Sequence, residues 1–270
     1  MPGKITKQQS WDKPVVEHEF TELLQRQTDN HDKARLLAAA SKHSADWLHA
    51  IPIMSCGLRL DDEAVRIAVG LRLGTDICHS HTCCCGAAVD VRGTHALSCK
   101  RSSGRLVRHN YINDVIHRSL SRAGIPATKE PHGILRNDGK RPDGLTLTPW
   151  SEGRCLVWDV TVANTTAESY LPATAINAGA AAESAATRKE AKYFELTHRY
   201  HFVPIAIESH GPFSSKAASF LSKLGRHITA TTSDPRETSF LYQRISIALQ
   251  RFNAVCMYDT FRDLSVADSN

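Results

Sequence analysis

The cysteines and histidines between residues 78 and 99 constrain the fold more than any other feature of this sequence. Five of the eight cysteines fall in this short segment, with histidines among them. In an intracellular chain, such a cluster favours a metal site over a disulfide framework. Zinc takes four thiolate or imidazole ligands in a tetrahedron, delivered as two close pairs separated by a loop. The segment therefore predicts a small zinc-stabilised unit within a larger fold.

The spacing of the cluster offers two ligand pairs. Cys83 and Cys85 make the first pair, in which Cys78 is an alternative partner, and His95 and Cys99 make the second. Which four of these five residues bind the metal is left open, because the two cysteines of the first pair are closer in sequence than in the usual C-x2-C. Loosely buried cysteines are the alternative interpretation of the whole cluster. We expect the zinc to be structural, since four protein ligands are at hand and the segment contains no Glu that could act as a base.

The composition is that of a globular protein. The chain has 270 residues, of which 41% are hydrophobic and 23% charged, enough for one or two domains with a real core. No apolar run approaches the ~18 to 20 residues of a membrane helix, so we expect no membrane partner. The opening residues, MPGKITKQQSWDKP, lack the apolar stretch of a secretory signal. These features predict an intracellular protein.

Positive charge is concentrated in one part of the chain. The formal net charge is +5, but residues 91–141 contain eleven Lys and Arg against three acidic residues, whereas residues 1–60 contain eight against seven. A surface that follows the phosphates of a nucleic acid needs such a local excess. A solvated basic face is an equally good explanation of the charge alone.

Periodicity and turn residues predict an α/β (α+β) protein. We divide it into a helical linker-like region (1–75), a zinc knuckle (76–100) and a larger mixed domain (101–270). In the last region the predicted order is a helix, three strands, a helix, a strand and terminal helices. The helices are expected over about 105–123, 173–200 and after residue 214, with turns at RNDGK and SEG between the strands.

Two aspartates mark the predicted strands. Asp143 begins one strand and Asp159 lies within the next, so the two can face each other across an antiparallel pair. Leu156, Trp158 and Val160 alternate with Asp159 and are expected in the core. Two carboxylates on one face would bind Mg²⁺, a hard cation that prefers oxygen ligands.

The motifs together resemble a known family. The CCHC-like cluster, RHN at 108–110, RPDG, WDVTV and KEAKY follow one another over about residues 60–253. They resemble the restriction-like endonuclease, of PD-(D/E)XK type, that ends some non-LTR retrotransposon polyproteins. Residues before Leu60 look like the tail of the linker that precedes that region. No reverse transcriptase domain fits upstream, so we expect a detached endonuclease region.

The resemblance implies a fold and an activity. It implies that region 101–270 is a restriction-endonuclease-like domain, a Mg²⁺-dependent DNA endonuclease that leaves a 3′ hydroxyl and a 5′ phosphate. Asp143 and Asp159 would be the catalytic acids and the Mg²⁺ ligands. Thr161 stands where the superfamily has its lysine, so the resemblance points to the following helix, to Lys192 or Lys189, with Lys192 preferred.

The resemblance also implies a partner and a location. DNA is the expected partner, with RNA left open, and the nucleus is the expected compartment. Four residues are candidates for holding phosphate: Arg105, Arg108, His109 and Arg141. Glu130 is a candidate third oxygen ligand, and Glu208 a more distant supporting residue. The alternatives are a non-catalytic zinc-containing nucleic-acid-binding module and a decayed retrotransposon fragment.

Overall fold

The structure is a computed structural model that describes residues 8–134 and 141–261. Its largest sheet has four strands in the order β3-β4-β5-β6, and a small hairpin pairs β1 with β2. Strands β3, β4 and β5 are antiparallel neighbours, whereas β6 is parallel to β5. The strands run over His81–Thr82 (β1), Ala88–Val89 (β2), Ala127–Lys129 (β3), Gly144–Ser151 (β4), Arg154–Ala163 (β5) and His201–Glu208 (β6).

Helices surround this sheet. They run over Gln8–Arg26 (α1), Asn30–Ala40 (α2), Asp62–Leu73 (α3), Ser103–Arg122 (α4), Leu171–Thr174 (α5), Ala180–Lys192 (α6), Ser215–Thr232 (α7) and Glu237–Tyr258 (α8). The protein is therefore mixed α/β, as its sequence predicts. Among the described residues, no helix has both the length and the apolar character needed to cross a bilayer.

The β4–β5 hairpin sets the register of the sheet. Glu152 and Gly153 form its two-residue turn with φ of +51° and +71°, the left-handed conformations that a tight hairpin requires. The register pairs Gly144 with Trp158 and Leu145 with Val157. The predicted turn at SEG is thus present, whereas the predicted turn at RNDGK lies outside the described residues.

Both faces of the sheet are covered. Leu156, Trp158 and Val160 of β5 pack into the main core with apolar side chains of α4, α7 and α8. The alanines of α6 cover the other face, where Ala163 and Ala206 meet them. Because strand side chains alternate, the residues between those core positions of β5 point towards α6.

The helix expected over 173–200 is interrupted. Gly179 takes a left-handed conformation, with φ of +86°, and separates the short α5 from α6. Helix α6 ends at Lys192, and a 3-10 turn over Phe194–His198 follows it. The high alanine content predicted helix correctly for α6, but it gave no sign of this break.

A second apolar cluster joins the three regions of the sequence. Leu60 and Ile67 come from the helical region, Leu97 from the knuckle segment, and Ile247 and Met257 from α8. Segments on either side of residues 75 and 100 therefore share one core.

Candidate functional site

Register brings Asp143 and Asp159 together. Asp143 directly precedes β4, whose first residue Gly144 pairs with Trp158, and the backbone N–H of Asp143 donates to the carbonyl of Trp158 (3.1 Å), so Asp143 lies beside the Trp158–Asp159 part of β5. Gly144 allows the Trp158 ring to pack against the backbone of β4, because a Cβ at position 144 would lie 1.9 Å from an atom of that ring.

Both carboxylate oxygens of Asp143 accept hydrogen bonds. The N–H of Val160 lies 2.5 Å from one oxygen, and Nε2 of His109 lies 3.2 Å from the other. Asn113, one helical turn after His109 on α4, donates to the carbonyl of Asp143 and accepts from Nε1 of Trp158. Helix α4 therefore holds the start of β4 in place.

Asp159 is paired with a lysine of α6. The Nζ of Lys189 lies 2.5 Å from one of its carboxylate oxygens, and only 4% of the Asp159 side chain is exposed. Tyr193 is buried beside the pair, and its hydroxyl donates to the carbonyl of Arg141 (3.2 Å). The buried acid thus has a cation within contact distance.

The structure distinguishes the two candidate lysines. Lys189 contacts Asp159, whereas Lys192, which the sequence analysis preferred, is exposed on the last turn of α6. Residues three apart lie on neighbouring positions of one helix face, so the two lysines differ mainly in their place along the axis, with Lys192 at the last residue of α6. The catalytic lysine that we propose below is therefore Lys189.

The acids and their partners shift each other's proton affinity. Burial raises the pKa of Asp159, the charge of Asp143 raises it further, and Lys189 and Tyr193 oppose both effects. Burial lowers the pKa of His109, but its hydrogen bond to Asp143 and the charge of that carboxylate outweigh burial and leave the pKa raised. The site thus contains two interacting carboxylates whose like charge is only partly compensated.

Glu208 holds the opposite end of α6. Its buried carboxylate accepts from the N–H of Ala181 (2.9 Å) and lies 3.4 Å from that of Ala182, at the helix N-terminus where a negative charge is favourable. Glu208 therefore supports the helix that carries Lys189. Glu130 is exposed, with φ of +44°, at the end of β3.

Four of the predicted zinc ligands converge. The ligand atoms of Cys83, Cys85, His95 and Cys99 all lie within 4.8 Å of one another. The sulfurs of Cys83 and Cys99 are 3.6 Å apart, and Sγ of Cys85 is 3.2 Å from Nε2 of His95. Bonds of ~2.3 Å in a tetrahedron put sulfur ligands roughly 3.8 Å apart, so this cluster can hold a metal such as zinc.

Local structure brings the cluster together. The β1–β2 hairpin carries Cys83 and Cys85 at its tip, where Gly86 turns the chain with φ of +88°. His95 lies in the 3-10 turn Thr94–Leu97, and Cys99 follows it. Cys83 and Cys85 can therefore act as a ligand pair despite their short CxC spacing, because both belong to one tight hairpin.

Two neighbouring cysteines stay outside the cluster. The Sγ of Cys78 approaches the carbonyls of Asp90 (3.3 Å) and Val91 (3.6 Å), and that of Cys84 approaches the carbonyl of Asp259 (3.6 Å). Cys78 is thus not among the ligands that the structure assembles. Across the described residues, the cluster above is the one group of three or more such side chains; Asp143 and Asp159 belong to no such group.

The candidate phosphate-binding residues take different positions. Arg108 is only 2% exposed and donates to Asn253 of α8 (2.6 Å), so its expected contact with DNA does not fit its place in the core. Arg105 lies 3.2 Å from the carbonyl of Ser98 and 3.4 Å from that of Cys99, which ties α4 to the metal cluster. Of the four candidates, Arg141 is exposed, and His109 is half-buried against Asp143.

Sequence reasoning did not find Asn113 and gave Tyr193 no role. A buried tryptophan needs a partner for its ring N–H, and the spacing of His109 and Asn113 puts both on one face of α4. Those two signals could have identified Asn113. Tyr193 follows the two lysines in KEAKY, but its contacts depend on how α6 meets the sheet.

Comparison with known proteins gave no assignment: no family model matches the chain, and no curated protein matches it.

Proposed function

We propose that this protein is a metal-dependent DNA endonuclease of PD-(D/E)XK type, derived from the endonuclease region of a non-LTR retrotransposon. One observation carries the proposal. Asp143, Asp159 and Lys189 come from three different elements and meet at one place on a unit ordered helix, three strands, helices, strand. Their residue types are those that phosphodiester hydrolysis requires.

The two carboxylates suit Mg²⁺. They lie close enough for the charge of Asp143 to raise the pKa of the buried Asp159, a repulsion that a divalent cation would relieve. Asp143 and Asp159 would hold the ion. When bound, Mg²⁺ lowers the pKa of a water ligand and neutralises charge that develops on the phosphate.

The side chains around the acids have separate tasks. Lys189 holds the Asp159 carboxylate and presents an ammonium group that can stabilise a phosphate. His109 and the N–H of Val160 fix the orientation of Asp143. Arg141 is exposed two residues before Asp143, where its guanidinium can contact a neighbouring phosphate.

The zinc cluster has a structural role in this proposal. Arg101, just before α4, donates to the carbonyl of Cys84, and Arg105, in the first turn of α4, donates to that of Ser98, so both tie the helix to the segment that carries the cluster. The metal would therefore fix the start of the helix that carries His109 and Asn113. Four protein ligands leave no position open for a substrate.

A second function has its own supporting observation. Both oxygens of Asp143 already accept hydrogen bonds, and Lys189 contacts Asp159 directly. Such a site can be idle in a nucleic-acid-binding module that retains the fold and the zinc, or in a decayed fragment. Activity therefore has to be measured separately from binding.

Nicking of supercoiled plasmid tests the proposal. We expect zinc-loaded protein to nick the plasmid in Mg²⁺ or Mn²⁺. Asp143→Asn or Asp159→Asn should lower the nicking activity at least ~100-fold. DNA affinity should be kept in both variants, since each removes a negative charge near phosphate. Asp12→Asn, an exposed change on α1, should behave as wild type. Binding without nicking by the unaltered protein would favour the binding module, and absence of both would leave the decayed fragment.

A further inference from the structure

A groove lies at the other end of the sheet from the aspartates. It has a volume of about 410 Å³ and runs between the end of β4, the start of β6 and one face of α7. Trp150 lies seven residues beyond Asp143, or about 20 Å along an extended strand. The groove is therefore separate from the proposed active site, and its size is within the range of small-ligand sites, about 300 to 1,000 Å³.

An aromatic ring forms part of the groove wall. Trp150 is half-buried, and its ring packs at a tilt against Phe220, with centroids 5.4 Å apart. The ammonium of Lys223 lies 4.9 Å from the centroid of the Trp150 ring. A flexible lysine over a ring contributes less at an exposed site than a stacked nucleobase does. A base can therefore replace the ammonium on the ring.

Two lysines line the groove. Lys216 and Lys223 lie seven residues apart, hence on one face of α7 and about 10 Å apart along its axis. Burial lowers the pKa of His201, and the positive charges of Arg154, Lys223 and Lys216 contribute to lowering it. Three carboxylates lie at the edge of the groove: Glu152 pairs with Arg154, Glu190 pairs with Lys216, and Glu183 accepts from the N–H of Ser215. Within the described residues, Lys223 forms no ion pair.

We propose that this groove binds a short single-stranded segment of nucleic acid, with one base stacked on Trp150 and the adjoining phosphates held by Lys223 and by Lys216, which would exchange Glu190 for a phosphate. An aromatic ring flanked by cations on one ridge matches the alternation of base and phosphate in an unpaired strand. Duplex bases are already stacked on each other and cannot reach Trp150. The inference is independent of whether Asp143 and Asp159 are catalytic.

Fluorescence anisotropy with labelled oligonucleotides tests the groove. The probes are oligothymidylate and oligouridylate of roughly eight nucleotides, and a blunt DNA hairpin serves as the duplex. We expect Trp150→Ala to weaken binding of the single strands about tenfold and Trp150→Phe much less, because Phe keeps a stacking face. The two single strands distinguish DNA from RNA.

Lysine variants give a readout that does not depend on the tryptophan packing. Lys216→Gln and Lys223→Gln should each weaken single-strand binding severalfold and reduce the slope of log affinity against log salt by ~0.7. Lys13→Gln, on the exposed α1, is the matched control. Hairpin binding and plasmid nicking should not change in any of these variants.

The inference is overturned if the unaltered protein does not bind the oligonucleotides, or if Lys223→Gln binds them with unchanged affinity and salt slope. It is also overturned if the variants weaken hairpin binding equally. If the unaltered protein does not nick the plasmid but does bind oligonucleotides through the groove, the result would count against the endonuclease proposal alone.

Discussion

Lys189 lies against one of the two site carboxylates, and His109 against the other. At the scale of single residues, these partners reduce the cost of burying two like charges side by side. A buried acid whose partner is removed is strongly destabilising unless it becomes protonated. The raised pKa of Asp159 shows that its pairing with Lys189 only partly offsets burial and the charge of Asp143.

Replacing each lysine by methionine separates the two candidates. We expect Lys189→Met to lower plasmid nicking by ~100-fold or more and to lower the unfolding temperature, because Asp159 loses its cation. Lys192→Met should change neither, since Lys192 is exposed. Nicking rates and thermal unfolding of the same preparations check both effects. Equal nicking by the two variants would exclude the role that we give to Lys189.

Sequence could predict the two acids of the candidate site but not which lysine contacts them. The alternation of β5 and the turn at SEG are local signals, and together they bring Asp143 beside Asp159. The choice of lysine depends on the rotation of α6 about its axis. Packing of its alanines on the sheet and the contacts of Glu208 set that rotation, and both involve residues distant in the chain.

At the scale of elements, the metal cluster and α4 support each other. Asp259, just after α8, accepts from Gly104 (2.8 Å) and from the hydroxyl of Ser102 (2.8 Å) at the start of α4. His81 of β1 contacts Thr260 and stacks on Phe261. The end of the described chain therefore closes over both the knuckle and the first turn of the helix.

Elemental analysis of single-cysteine variants tests the ligand set. We expect one zinc per chain in the unaltered protein and in Cys78→Ser. Cys85→Ser and Cys99→Ser should each lose zinc and become less stable to denaturant, since structural zinc contributes directly to folding. A loss of zinc in Cys78→Ser with retention in Cys85→Ser would restore the alternative first pair.

Positions within elements were harder to predict than the elements. The start and end of α3 follow from Asp61, whose side chain accepts from Ala64, and from the left-handed Gly74. Arg108 looked like a phosphate ligand because it belongs to a basic stretch. Its burial depends on Asn253, which lies 145 residues away in sequence, and no local pattern reports that contact.

At the scale of the whole molecule, much of the basic excess serves internal contacts. Arg92 pairs with Asp32, Lys129 with Asp114, and Arg122 with Glu237. Arg136 and Lys140 lie outside the described residues. The predicted phosphate-following surface is therefore smaller than the charge count suggests, and these arginines also join distant segments.

His210 gives the assembly of these segments a pH dependence. It lies after β6, and burial, with the charge of Arg35 on α2, lowers its pKa to about 4. The folded state then resists a proton that the unfolded chain accepts near 6.5. The contribution of neutral His210 to the free energy of unfolding should be fully present above pH 6.5 and should fall between pH 6.5 and pH 4, by up to ~1.4 kcal/mol per pH unit.

Urea unfolding at pH 7.5 and pH 5 measures this effect. The loss of stability between the two should be smaller in His210→Gln than in the unaltered protein, because glutamine does not titrate. His18→Gln, on the exposed α1, should retain the full loss. An identical loss in His210→Gln would assign the pH dependence to other groups.

Trp158 and Asp159 are adjacent in β5, one within the core and the other at the proposed catalytic centre. A slip of this strand by a single residue would exchange the two, placing an acid among aliphatic side chains and an indole among polar groups. A register shift of β5 therefore costs too much free energy to act as a switch for the proposed catalytic centre. Loss of activity during evolution would have to come from replacement of individual side chains, and the scaffold could long outlast its chemistry.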